Sequence, residues 1–206
     1  MPQLHPGIFT EPHVAPDTLD HLGPLRGLAG VWQAEKGVDT SPKAAGPETK
    51  SFIEHAEFVP IDGQTNGPQL FYGLRYHMHI NTPGEKITFH DQIGYWLWEP
   101  KTGLLLQSLT IPRGQAVLAQ GTAAAGDTSF SVEAVRGSTT NGIVSNAFLD
   151  QNFRTDRYRC QMDIGAGSFS YRLDTTLMVD GKPFDHHDSN TLRRVGAAGV
   201  NPLDQS

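Results

Sequence analysis

The sequence predicts an all-β protein: an antiparallel, up-and-down β-barrel of roughly ten strands, preceded by a short N-terminal helix. Beyond Gly30 the apolar residues recur mostly at every second position, the period of a strand with one buried face. The 22 glycines and 14 prolines are spread along the chain rather than clustered, as many short strands joined by turns require. Strands this numerous must stack or close, and closure removes the exposed edges, so a barrel with an interior is expected.

The elements follow in order. Residues 1–17 carry four prolines and little periodicity, and read as an extended arm. Leu19, Leu22 and Leu25 lie at helical spacing behind Asp17 and Thr18, but Gly23 and Pro24 limit the run to a short helix or a 3₁₀ turn. In residues 51–59, Phe52, Ala56 and Phe58 alternate with Ser51, His55 and Glu57; in 70–80, Leu70, Tyr72, Leu74, Tyr76, Met78 and Ile80 alternate with Gly73, Arg75, His77 and His79. Residues 87–98 and 104–110 form a hairpin pair around Glu99-Pro-Lys-Thr-Gly103. Further strands are expected at 115–121, 129–135, 154–164, 169–179 and 187–195, with tight turns at Gly165-Ala-Gly167 and Asp180-Gly181. Residues 137–152 show no alternation and are expected to be a loop over one end or side, and 197–206 a flexible tail, leaving one barrel domain over 18–196.

Composition excludes several functions. The net charge is −6, from 16 basic and 22 acidic residues with no Lys/Arg block, so a nucleic-acid partner is not expected. No segment reaches the roughly 18 apolar residues of a membrane span, and the first residues lack the basic and apolar regions of an export signal. The single cysteine, Cys160, has no partner for a disulfide or a zinc site, which makes the cytoplasm the default compartment. No GxSxG, P-loop, GxGxxG or HExxH pattern occurs. A monomer or homodimer that binds a small apolar ligand is the expected form.

The nine histidines are the main chemical resource. His77 and His79 share one strand face, their imidazoles roughly 7 Å apart, and His90 on the next strand could join them in a metal site. Glu85 and Asp91 do not clearly share that face, and the opposite face is the apolar one, so solvent exposure of the pair is the favoured reading. The stretch Pro183-Phe-Asp-His-His-Asp-Ser-Asn-Thr-Leu-Arg-Arg194 crowds polar groups into the closing strand. One parity carries His186, Asp188, Asn190 and Leu192, and the other His187, Ser189, Thr191 and Arg193, so only one histidine of the pair can face the interior. Leu192 favours His186, whose ring Asp188 or Asn190 could orient. A purely structural network closing the barrel is the alternative.

Leu25-Arg-Gly-Leu-Ala-Gly-Val-Trp32, Tyr72-Gly-Leu-Arg-Tyr76, Phe89-His-Asp-Gln-Ile-Gly-Tyr-Trp96, Ile111-Pro-Arg-Gly114 and the terminal His-His-Asp-Ser-Asn-Thr-Leu-Arg-Arg occur together, in this order. In these motifs the chain resembles the nitrobindin family, haem-binding barrels similar to lipocalins and fatty-acid-binding proteins, from about Leu22 to Val195. The resemblance implies a ten-stranded barrel with haem b in a wide cleft, iron held by a histidine near the C-terminus, and nitric oxide binding or peroxynitrite isomerase-like activity. It departs from the family's GxWxGxG opening, since Gly30-Val-Trp32 is followed by Ala34 and Glu35. Counting back from Leu192 and Arg194, the family pattern puts the iron ligand at His187, whereas parity prefers His186. Trp32, Phe71, Tyr95, Trp96, Ile111 and Arg113 complete the expected haem contacts. A haem-free barrel carrying a fatty-acid-like or other hydrophobic ligand is the alternative.

Overall fold

The computed structural model describes residues 6–41, 46, 48–83 and 88–199. Strands β1 (Gly30–Ser41), β2 (Glu48–Asn66), β3 (Gln69–Asn81), β4 (Thr88–Trp98), β5 (Leu104–Ile111), β6 (Gln115–Thr122), β7 (Ser129–Val135), β9 (Phe153–Ile164), β10 (Ser168–Val179) and β11 (Lys182–Gly196) form a closed antiparallel barrel. The ring is complete because β1 pairs with β11, the first strand with the last, and β5 with β6. The extra strand β8 (Ile143–Ser145) pairs with the start of β6, alongside which β7 does not reach, and runs into the short helix α1 (Ala147–Asn152). Thus the segment 137–152, expected to be all loop, holds a strand and a helix. Asn146 caps α1 by accepting from the Phe148 and Leu149 amides, which a short helix needs because its first N–H groups lack partners.

β1 is the strand least apparent in the sequence, because irregularities break its alternation: its register shifts against β11 between Val31 and Trp32, and against β2 between Ala34 and Gly37. β11 begins five residues earlier than its polar sequence suggests. Asp180 and Gly181 both have positive φ, the geometry of a two-residue hairpin, so Val179 pairs directly with Lys182 and no loop intervenes.

A 3₁₀ helix, Gly23–Leu28, plugs one end of the barrel. Pro24 starts this helix rather than breaking it, since its missing N–H falls where no intrahelical acceptor exists. Gly23 has φ +54°, and a Cβ there would lie 2.5 Å from the Trp98 ring. Leu22, Leu25 and Leu28 are fully buried, each contributing about 2 kcal/mol of apolar transfer. The plug is tied down by polar bonds: Trp32 Nε1 donates to Leu28 O at 2.7 Å, and Arg194 donates to Ala29 O and Gly27 O while stacking 4.2 Å from the centre of the Trp32 ring. Above it, Trp32, Phe58 and Phe169 pack edge-on, as do Trp96 and Phe130. The opposite end, bearing the β5–β6 and β10–β11 turns, is the mouth.

Candidate functional site

Between the packed end and the mouth, inward-facing polar side chains form a belt. Tyr76 Oη accepts from Gln92 Nε2 (2.7 Å) and Gln107 Nε2 (3.1 Å), and Tyr158 Oη donates to Gln107 Oε1 (2.9 Å). On the other side, Glu54 Oε2 accepts from Asn190 Nδ2 (2.7 Å) and Tyr171 Oη (3.0 Å). Glu54 is 3% exposed, and its Oε1 has no hydrogen-bond partner among the described residues. Burial pushes the Glu54 carboxyl up to about 7, against the pull of the Asn190 and Tyr171 bonds, so near neutrality this acid is partly protonated inside the barrel. Burial likewise pushes the Tyr76, Tyr158 and Tyr171 phenols up, and the Cys160 thiol up to about 12.

Sequence reasoning passed over Glu54, although its parity was a usable signal: it sits between Phe52 and Ala56 on the apolar face of β2.

At the mouth, β11 alternates as its parity dictates. Leu192 and Asn190 are buried, Asp188 and His186 are half-buried on the same side, and His187 is exposed. His186 Nε2 lies 3.6 Å from Asp188 Oδ1. His187 points outward, its Nδ1 2.6 Å from Asp174 Oδ1 on β10, and Arg172 and His187 together hold the Asp174 carboxyl below its ordinary range. His90 shares the inward parity of Gln92 and lies 3.3 Å from Gln92 Oε1. Burial pushes the His90 imidazole below the usual histidine range, and the charges of Arg113 and His186 act in the same direction.

The remaining residues singled out from the sequence divide three ways. Ile111 is half-buried at the end of β5, against the core, and Arg113 is exposed in the adjoining turn at the mouth. Trp32 and Trp96 lie in the packed interior toward the plug, each 1% exposed or less. Phe71 is buried but alternates with the inward Tyr72, and Tyr95, 43% exposed, lies on the outer wall. There it lines an external groove of about 880 Å³ with Ile93, Leu118 and Val144. His77 and His79 also face outward; Asp91, paired across from His79, joins them, and His90 does not.

Among the described residues no helix is long and apolar enough to cross a membrane. No curated protein matches the chain. Among solved structures it is similar to Rv2717c from M. tuberculosis, with a TM-score of 0.62 and 20% identity over 88% of this chain and 99% of that one, a likeness of fold. The family model described as "THAP4-like, heme-binding beta-barrel domain" matches residues 21–194, nearly the whole barrel. The chain therefore belongs to the family of THAP4-like, haem-binding β-barrels, the nitrobindin family.

Proposed function

We propose that the mouth of the barrel binds haem b with His186 as the axial ligand, and that the protein binds or transforms small reactive nitrogen species in the cytoplasm. One observation carries the choice of ligand: His186 lies on the inward side of β11 with Asn190 and Leu192, whereas His187 lies outside against Asp174. The side chains at the mouth suit the group. His186 is an imidazole donor that remains 23% exposed, so it is reachable, and Asp188, 3.6 Å from its Nε2, would orient it after a small rotation of the ring. Arg113 offers a cation for the carboxylates at the edge of a haem. Beneath, the belt of Gln92, Tyr76, Gln107 and Glu54 keeps the ligand at the mouth rather than among the packed aromatics.

Haem, when bound, would supply the iron chemistry for nitric oxide or peroxynitrite. The chain's own part is to orient the ring, hold the axial imidazole and limit water. Haem titration of the purified protein tests this. A shifted Soret band in wild type and His187→Ala that is lost in His186→Ala is expected; a shift unchanged in His186→Ala, or absent in wild type, overturns the assignment.

The outer groove favours a second reading, carriage of a fatty-acid-like molecule without haem, because Ile93, Tyr95, Leu118 and Val144 leave a sizeable apolar surface exposed there. Mass spectrometry of small molecules released from the purified chain separates the two readings.

A further inference from the structure

We propose that the outer wall of the barrel carries a second metal site, independent of any haem, in which His77, His79 and Asp91 hold one divalent first-row transition ion of the zinc class. The strands build this site without a loop. His77 and His79 project from the outer face of β3, and the antiparallel register places Asp91 of β4 directly opposite His79. Asp91 Oδ2 lies 3.0 Å from His77 Nε2 and 3.9 Å from His79 Nδ1, and one donor atom from each residue falls within 4.8 Å of the others. A tetrahedral ion with bonds of about 2.0–2.1 Å sets its donor atoms roughly 3.3 Å apart, so the observed spacings need only small side-chain rotations.

The surroundings match a ligand set. Thr88 Oγ1 lies 2.7 Å from His79 Nε2, the nitrogen turned away from the carboxylate. In the tautomer with the proton on Nε2, that hydroxyl accepts it and the Nδ1 lone pair is left toward Asp91, the role of a hydrogen-bond partner behind a metal ligand. His77, His79 and Asp91 are 49%, 39% and 33% exposed, so water can complete the coordination shell. On β2, Glu57 stands opposite His77 and His55 opposite His79, and the His55 ring is engaged by Gln33 at 3.3 Å. Two imidazoles with one carboxylate select imidazole-seeking ions over Mg²⁺ or Ca²⁺, which prefer all-oxygen shells. The site lies on the opposite side of the wall from His90 and does not depend on the haem reading.

The test uses the full chain without an affinity tag, titrated with Co²⁺ for its visible d–d bands and with Zn²⁺ against a chromophoric chelator. One ion per chain is expected, undisturbed by excess Mg²⁺ or Ca²⁺ and unchanged in His13→Ala. His77→Ala, His79→Ala and Asp91→Asn should each weaken binding by at least about 10-fold, and Thr88→Val by about 10-fold. Asp91→Asn preserves the side chain's shape, so its loss of binding would not reflect unfolding. No saturable binding, binding that survives these ligand substitutions, or displacement by Mg²⁺ or Ca²⁺ at comparable concentration overturns the proposal.

Discussion

Replacing Glu54 by glutamine tests whether a buried acid inside the barrel sets its pH dependence. Folded Glu54 titrates near 7, against 4.5 for the free side chain, because burial disfavours its charge more than Asn190 and Tyr171 stabilise it. Between these values the unfolded chain releases the proton while the folded chain keeps it, so rising pH favours unfolding. The stabilisation held by the neutral acid is therefore complete below about pH 4.5 and is lost as pH rises through 7. A difference of 2.5 (7 − 4.5), at about 1.4 kcal/mol per pH unit, amounts to roughly 3 kcal/mol. Glutamine keeps an acceptor for Asn190 and Tyr171 but cannot ionise. Urea denaturation from pH 4 to 9 should show Glu54→Gln near wild type in acid and about 3 kcal/mol more stable above neutrality. A stability difference that is flat across this range, or that grows toward acid, would refute the reasoning.

Two further tests probe the wall and the core. At Gly94 a Cβ would lie 1.9 Å from Ser108 O, backbone of the neighbouring strand, so Gly94→Ala should force β4 from β5 and cost about 2–3 kcal/mol, read as a fall of roughly 4–12 °C in Tm. Gly126→Ala, with nothing within 4 Å, should leave Tm nearly unchanged, and equal shifts for the two would defeat the packing argument. Cys160 is 5% exposed with its thiol pushed up to about 12, so the native protein at pH 8 should resist a thiol-labelling reagent that modifies the urea-denatured chain fully; equally fast labelling of both states would contradict this burial.

The division between what was legible in the sequence and what was not follows from the geometry of strands. Alternation is local, so the inward faces of β3 and β9, the two-residue turn at Asp180-Gly181 and the opposite orientations of His186 and His187 can all be read along the chain. The same alternation marks Glu54 as inward, since it shares the parity of Phe52 and Ala56 on β2. Where bulges interrupt the period, as between Ala34 and Gly37 of β1, the local signal fails and the strand is hidden.

The amino-acid sequence by itself thus determined a closed antiparallel barrel and, for each regular strand, which side chains face inward. Only the tertiary structure decided which residues share a level: Glu54 with Tyr171 and Asn190, 117 and 136 positions away, or Asp91 with His79 rather than His90 with it. Side-chain parity is set by the backbone pleat within one strand, whereas height along the barrel depends on register across strands, fixed by pairing, bulges and closure of the whole ring.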